Sequence, residues 1–597
     1  MPTYKAPIDD VKFLLNELLD VGQLCRLPGY EEATPDLLNT IIEEGARFCE
    51  EVLAPLNQVG DSAGCTYENG VVTTPPGFKA AYRQFCDGGW PALACATEYG
   101  GQGLPHLVRT VMEEFMCASN QSFGMYPGLT HGAYHALHVY GSAELKATYM
   151  EKLVSGQWSG TMCLTEAHAG TDLGIITTKA VPAGDGAYHL TGQKIFISAG
   201  DHDLTENIVH LVLAKLPDAP PGTRGISLFI VPKFLPTEEG KPGTRNGVTC
   251  GSIEHKMGIK GSATCVLNFD NAKGFLVGEP HKGMRAMFIM MNGARLAVGI
   301  QGLGLADVAY QNAVAYAKER LQGRALTGVK NPSGPADPII ELPAVRAGLM
   351  RVKALNEGMR ALAIWIGISI DVEEKHPDPE VRAAALDLVA LMTPVIKAFM
   401  TDIGFENTNI AMQTLGGHGY VREYGMEQFV RDARIGQIYE GTNAVQAMDL
   451  IGRKLPEGMG RLLRRFFHPV NELIEQSMAD DGLKEFAEPL QKAFARLQQV
   501  TQLVATTSMA NPDEAGAAAE DFLAMMGYVA VGYMWLRMIA LSKSTLASGG
   551  NGKPAFYEHK VITGRYYMTK VLPQVHSYAA RIAAGAAPVM ALAADAF

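Results

Sequence analysis

Along the first part of the chain, apolar residues return at intervals of three and four. In LLNTIIEEGARFCEEVLAPLN they line one side of a helical wheel while the acids take the other, the pattern of an amphipathic helix. This texture runs from about Pro35 to Gly156 and predicts a helical block. From about Gly160 to Gly278 it gives way to short segments rich in branched residues: TMCLTE, AYHLTGQKIFIS, NIVHLVLAKL, GISLFIVPKF and ATCVLNF. Gly, Pro and Asp separate them and no long helical repeat intervenes, which predicts an antiparallel sheet or barrel. Helical spacing returns from about Gly283 to Leu455, interrupted by NPSGPADP (Asn331 to Pro338), whose Pro and Gly content breaks a helix. An Ala-rich helical stretch follows from about Arg461 to Phe597, broken at ANPDEAG and SGGNGKP. The predicted architecture is mainly α with a central antiparallel β domain. It divides into an N-terminal extension (1–34), a helical domain (35–158), a middle β domain (159–281), a helical bundle (282–456) and an additional helical domain (461–597).

Length and charge narrow the class. At 597 residues the chain exceeds what one core supports, so several domains are expected. A net charge of -11 argues against a polyphosphate partner. The last block is nearly balanced in charge, and no nucleic-acid partner is expected. Nine cysteines form no CxxC pair and none lies beyond Cys265, which fits free thiols in a reducing compartment. MPTYKAPIDDVKFLLNELLD is too acidic for a mitochondrial presequence and lacks a secretory apolar core. No uninterrupted apolar run approaches the roughly 18 residues of a membrane span. The expectation is a cytoplasmic protein without stable membrane insertion.

Several motifs carry chemistry. In CLTEAHAGTD a strand ending at Thr165 runs into the small residues Ala169, Gly170 and Thr171, so that backbone N–H groups and a hydroxyl can approach an anionic or heteroaromatic ligand. In GQKIFISAG, strand alternation puts Phe196 and Ser198 on one face, an aromatic plane beside a hydroxyl. AKER ends in Arg320, a good phosphate partner, and QTLGGHGY offers Gly416, Gly417 and Gly419 for close backbone approach. Finally, QIYEGTNAVQ places Glu440 between Tyr439 and Gly441, just before a helical pattern.

Two patterns invite other readings. Gly299, Gly302 and Gly304 in GIQGLGLA follow no strand and lie in a helical pattern, so they predict close helix packing rather than a dinucleotide loop. His131, His135 and His138 in THGAYHALH share a helical face, but no Glu follows the first His and no outside ligand is evident. No metal site is expected.

With MCLTEAHAGTD opening the β block and IYEGTN closing the third block, the chain resembles the acyl-CoA dehydrogenase family over roughly Pro35 to Leu455. The resemblance implies a helical, β-barrel and helical-bundle architecture that binds FAD and desaturates an acyl-CoA thioester between its α and β carbons. Residues matching Met162, Leu164, Thr165, Phe196, Ser198 and Thr442 face the flavin, and those matching Gly170 and Thr171 lie near its phosphates and the acyl-CoA. Those matching Arg320, Gln413 and Gly417 bind the pyrophosphate and adenosine half of a flavin held mainly by the neighbouring subunit, implying a homodimer or higher homo-oligomer. Ala167 and His168 stand where the family commonly has Pro and a small residue, and Phe196 and Ser198 where it usually has Trp and Thr.

The same resemblance makes Glu440 the base that takes the α proton. Gly441 leaves room for substrate beside Tyr439, and the Glu440 N–H donates to the thioester oxygen. Some family members carry the base just before an Arg on an earlier helix; the matching residue here is Ala294, before Arg295, and an alanine cannot accept a proton. Asn292 and Arg295 become candidates for contacts with CoA or the site wall. NQSFGMYPGLTHG falls near the family's acyl pocket, where Phe123, Met125, Tyr126 and Leu129 are candidates for chain-length selection. Total length and the block after Leu455 look like the branch acting on 3-methylmercaptopropionyl-CoA or on medium and long straight-chain acyl-CoAs. An electron-transfer flavoprotein is the expected acceptor. An acyl-CoA oxidase, or a nucleic-acid-binding flavoprotein of the same fold, are the alternatives.

Overall fold

The branched-residue segments in the middle of the chain pair into a seven-stranded sheet. In the computed structural model, which describes residues 2–597, this sheet belongs to a unit formed by Arg47–Arg109 and Phe115–Ala297. The long strand Thr264–Val277 pairs antiparallel with Tyr188–Ser198, Val248–Ile253 and Ile226–Pro232. Ile226–Pro232 pairs in turn with Asn207–Lys215, and Lys179–Pro182 bridges Tyr188–Ser198 to Asn207–Lys215. Without Val248–Ile253, which flanks Thr264–Val277, the other five strands close a ring whose last contact is the single pair Lys179 and Lys215. The sheet departs from the antiparallel expectation at two places: Lys179–Pro182 meets Asn207–Lys215 in parallel at Lys179 and Lys215, and a longer parallel pair lies beside it. Trp158–Cys163 lies parallel to Asn207–Lys215, from Trp158 opposite Asn207 to Cys163 opposite Val212; the segment joining them is long enough for the crossover a parallel pair requires.

The helical expectation for Pro35 to Gly156 misses a hairpin. Thr66–Glu68 pairs with Val71–Thr73 around Asn69 and Gly70, at φ +52° and +80°. An Asn-Gly pair adopts this left-handed geometry at low cost, so TYENGVVT did carry a hairpin signal. The helix His106–Tyr140 breaks at Asn120, whose φ is -160°. The Asn120 carboxamide oxygen accepts from Phe123 N–H at 3.0 Å and caps the segment that follows.

The second unit comprises Met1–Ala46, Thr110–Glu114 and Val298–Phe597. Its long helices Pro343–Lys375, Pro379–Thr414 and Asp513–Ala547 pack together with Gly283–Glu319 from Val298 onward. A Cβ on Gly302 would lie 2.4 Å from the Met400 carbonyl oxygen, so the GIQGLGLA glycines do let two helices touch. Trp535 Nε1 donates to the Ala354 carbonyl at 2.9 Å, sealing Asp513–Ala547 onto Pro343–Lys375. By length and composition Gly283–Glu319, Pro379–Thr414 and Asp513–Ala547 are each apolar enough to cross a membrane, contrary to the expectation of no such segment. Between 67% and 89% of their most apolar windows is buried inside the protein, so that apolarity is used for packing.

A buried ion cluster ties this unit together. Arg360, 2% exposed, donates to Asp10 at 2.6 Å and to Glu114 at 2.6 and 2.8 Å, and lies 3.0 Å from Asp307. Lys560 bonds Asp10 and, at 2.7 Å, Glu357. Burial disfavours the charge on Asp10, but Lys560 and Arg360 outweigh it and hold the carboxyl low. Removing the guanidinium would leave buried carboxylates without their counterion, at a cost of about 3–5 kcal/mol. Arg360→Met is expected to lower the thermal midpoint strongly at pH 8. Folded carboxyls stripped of the cation titrate above their unfolded values, so this penalty shrinks as pH falls towards 5. Scanning calorimetry across that range checks it; an equal loss at both pH values rejects it.

Candidate active site

Leu164 to Glu166 and Lys194 to Ser198 are joined by a buried ion pair that the sequence did not announce. Glu166 Oε1 accepts from Lys194 Nζ at 2.9 Å and from Thr178 Oγ1 at 2.6 Å; Oε2 accepts from Thr177 N–H and Oγ1 at 2.7 and 2.8 Å. Lys194, 0% exposed, also donates to the Leu164 carbonyl at 2.9 Å, and Ile195 N–H donates to the Thr165 carbonyl at 2.9 Å. The CLTE and KIFIS motifs are thereby held side by side. Burial pushes the Glu166 carboxyl up, but Lys194 and the Thr178 hydroxyl outweigh it and bring it to about 2. Burial also lowers Lys194, which Glu166 partly offsets.

The strand carrying Phe196 is not regular. Between Lys194 and Ile197 it holds one residue more than its partner strand does between Cys265 and Leu267, and Phe196 adopts φ +58°. Such a bulge re-aims a side chain. Phe196 is 59% exposed, Ser198 is half-buried and Ile197 between them is buried, so strict alternation does not hold at this bulge. Met162 and Thr165 are half-buried and Leu164 is buried; Gly170 and Thr171 are exposed beyond the turn in which Glu166 and Ala169 exchange backbone bonds. His168 bonds the Ile175 carbonyl at 3.1 Å.

On Gly283–Glu319, Asn292 is exposed, Ala294 half-buried and Arg295 buried. Phe123 packs against Phe78, Tyr82 and Phe85. The Tyr126 hydroxyl donates to the Gly261 carbonyl and accepts from Ala263 N–H, both at 3.0 Å. Both side chains are buried in the interior. Met125 is also buried and Leu129 half-buried. His131 stands 5.7 Å from the Tyr134 ring, and Tyr134 stacks on His138 at 5.7 Å. Among the described residues no three His, Cys, Asp or Glu side chains are placed to hold a metal.

In the other unit, Glu440 sits half-buried in the segment between the turn Ile435–Gln437 and the helix Asn443–Asp449. Tyr439 bonds Gln301 through its hydroxyl. Gly441, at φ +71°, makes a turn that a side chain would strain. Thr442 Oγ1 accepts from Val445 N–H at 3.4 Å and caps the helix. Asn443 fixes the far side: its Nδ2 donates to Asp402 at 2.7 Å and Thr401 at 3.0 Å, and its Oδ1 accepts from the buried Lys397 at 2.8 Å.

The same unit brings Arg320 and the GGHG turn together. Tyr316, one turn before Arg320, shares a 2.8 Å hydrogen bond with His418 Nδ1. Arg320, Gln413 and Gly417 are all exposed. Gly416 holds φ +58° and ψ -136°, a region essentially closed to other residues, and a Cβ on Gly417 would meet nothing within 4 Å. Backbone is presented here to whatever approaches.

Sequence profiles match almost the whole chain: the acyl-CoA dehydrogenase N-terminal domain over 38–157, its middle domain over 161–272, its C-terminal domain over 281–455, and the acetyl-CoA dehydrogenase C-terminal-like domain over 466–593. The chain belongs to the acyl-CoA dehydrogenase family. It is 43% identical over 581 residues to the 3-methylmercaptopropionyl-CoA dehydrogenase of Ruegeria pomeroyi, covering 97% of this chain and 98% of that one. It is 34% identical over 593 residues to the broad-specificity linear acyl-CoA dehydrogenase of Mycobacterium tuberculosis, covering 97% of each. The fold matches that of a Bacillus anthracis acyl-CoA dehydrogenase complexed with FAD, with a TM-score of 0.73 and 21% identity, covering 92% of this chain and 88% of that one.

As an acyl-CoA dehydrogenase the protein is a flavin-dependent oxidoreductase that uses FAD. Its residues fit the cofactor within each unit: an exposed aromatic ring at a bulge beside a hydroxyl in one, an arginine beside an open glycine turn in the other.

The Glu166–Lys194 pair makes a testable demand. Glu166 is held below its ordinary value near 4.5, so its stabilising contribution is complete above that value and is lost as pH falls towards 2. Lys194→Met removes the main opposing charge, so the folded carboxyl moves up and the acid-induced loss begins at higher pH. The variant is expected to lose about 3 kcal/mol at pH 7 and to retain less flavin. Acid unfolding followed by flavin release checks both; an unchanged acid midpoint rejects the role given to Lys194.

Proposed function

We propose that the protein oxidises a straight-chain acyl-CoA to its α,β-unsaturated thioester with Glu440 as the base. The observation that carries this reading is a half-buried carboxylate in a loop pinned on both sides, next to a glycine turn that leaves space. At the other position a family base occupies, the chain has Ala294.

The α proton of a thioester is weakly acidic, so a positioned acceptor must take it as charge builds towards the carbonyl. In this reading the Glu440 carboxylate accepts that proton and its backbone N–H donates to the thioester oxygen. The electrons of the α C–H bond become the new C=C bond, and the β carbon loses a hydride. Bound FAD supplies the hydride acceptor. Phe196 and Ser198, with Met162, Leu164 and Thr165, orient the ring; Thr442 faces the cofactor while capping its helix. Gly170 and Thr171 serve its phosphates and the acyl-CoA. Tyr439, Gly441, Asn292 and Arg295 bound the substrate.

The high identity to the Ruegeria pomeroyi enzyme over nearly the full length supports 3-methylmercaptopropionyl-CoA as the first substrate to try. Similarity to the broad-specificity linear enzyme supports alkyl chains as well. A thioether sulfur and a methylene differ little in size and polarity, so one pocket can take both. Electrons pass on to an electron-transfer flavoprotein in this reading. The family's division of flavin contacts makes the working form at least a homodimer. Tyr420, 80% exposed, with the exposed Val421 and Tyr424, supplies apolar surface beside Gly417 for such an association.

An anaerobic titration of the purified yellow protein with a panel of acyl-CoAs, the methylthio compound included, should bleach the flavin. Glu440→Gln is expected to keep FAD and bind acyl-CoA while losing bleaching by about 10³-fold or more. Near-normal turnover in that variant would remove Glu440 from the mechanism. Rapid reoxidation by air with peroxide release would instead identify an oxidase.

A further inference from the structure

Gln437 and Asn443, which flank the segment carrying Glu440, meet on one atom. Gln437 Nε2 donates to Asp402 Oδ1 at 2.6 Å, and Asn443 Nδ2 donates to the same oxygen at 2.7 Å. Both ends of the segment are therefore referred to one point on the helix Pro379–Thr414. Arg434 extends the tie, donating to Gln437 Oε1 at 2.7 Å. Between the two anchors the segment is also held through the Tyr439 hydroxyl on Gln301. Ile438 and Tyr439 N–H donate to the Ile435 carbonyl at 2.9 and 3.1 Å, and the Thr442 cap is long at 3.4 Å.

We propose that Asp402 is a positioning residue for Glu440, and that the C-terminal helix Asp513–Ala547 braces the turn from which Asp402 projects. The proposal rests on Glu440 being the base. The brace is visible at Phe399, three residues before Asp402: a Cβ on Gly527 would lie 2.3 Å from the Phe399 ring, and Tyr528 meets that ring edge-on at 4.9 Å. Asp513–Ala547 also packs on Asn443–Asp449, the helix that begins immediately after the catalytic segment. This gives the domain after Leu455 a task within its own unit: it holds both helices to which the segment is tied.

Asp402 is itself exposed. Solvent competes for its hydrogen bonds, so their contribution to global stability is small. A displacement of about 1 Å at a reacting group can cost about 10²-fold in rate, so a weak tie can matter for turnover while hardly moving the melting temperature. That separates positioning from support of the fold. Asp402 also faces Lys397 and Glu520, so a charge effect is the competing explanation. An Asn at 402 keeps an oxygen that can accept both bonds and removes the charge.

The test compares Asp402→Ala, Asp402→Asn and Gln437→Leu in the FAD-loaded full-length protein. Asp402→Ala is expected to speed amide hydrogen exchange of residues 437–443 and to lower kcat by about 10- to 100-fold, with KM and flavin content close to those of the parent. Asp402→Asn should restore both readouts, and Gln437→Leu, which cuts one of the two ties, should fall between. If Asp402→Ala does not fold, Gln437→Leu carries the test. Unchanged exchange and kcat would overturn the proposal. So would an Asn variant that restores exchange but not kcat, since the charge would then be what matters. Failure of the underlying reading is separable: if Glu440→Gln turns over normally while Asp402→Ala still frees the segment, the tether stands and the base is elsewhere.

Discussion

A guanidinium taken out of water has to be matched by carboxylates, and Arg360 is where the helical unit meets that demand. Its partners come from the first helix of the chain (Asp10), from the short Thr110–Glu114 stretch and from the bundle helix that carries Asp307. Through Asp10 the cluster reaches Lys560, on a helix of the last domain. None of these residues is near another in sequence, so the desolvated charge brings together segments that local periodicity could not. An apolar core would tolerate sliding of one helix along another. A guanidinium with a fixed fork of donors does not, so the cluster sets the register in which the long helices lie.

The same logic, on a smaller scale, holds the loops that bear the candidate chemistry. Phe196 at φ +58° is a strained conformation for a residue with a side chain, of the kind that costs about 1–3 kcal/mol. It persists beside Lys194, which is fixed by a carbonyl and a carboxylate. Gly441 avoids the equivalent strain by lacking a Cβ, and the freedom this leaves is taken up by Asn443 and Gln437. In both places a buried or bridging polar side chain stands two or three residues from the group proposed to act. Rigidity is supplied next to the reacting residue, which leaves that residue's own face open to a ligand.

How much of this was legible follows from the range of each interaction. Periodicity revealed the alternation of helical and β blocks, because burial acts on every residue of an element. Turn chemistry in TYENGVVT is equally local, a hairpin signal set within a helical block. The motifs around Thr165, Phe196, Gly417 and Glu440 were visible because loops that present backbone or chemistry use unusual small or polar residues. What supports them was not visible. Glu166 looks like any acid after a strand, and Lys194 like an ordinary polar residue in an alternating one; only three-dimensional pairing shows both to be buried. Asp402 lies in a long apolar helix, where one acid reads as a solvated face. The bulge at Phe196 has no sequence marker either, since the extra residue is defined only against the partner strand.

Specificity shows the same division between local and long-range information. An aromatic-rich segment such as SFGMY suggests a pocket wall, because ligands are commonly lined by such residues. Yet Phe123 completes an aromatic cluster with Phe78, Tyr82 and Phe85, and the Tyr126 hydroxyl donates to Gly261 and accepts from Ala263. A side chain that satisfies the interior in this way cannot swing to suit chains of different length without opening a cavity or orphaning a polar group, each worth more than the difference one methylene makes. Residues whose surfaces are still partly open, such as Leu129, are free of that constraint. Their change alters the volume offered to a ligand and leaves the packing of the unit intact.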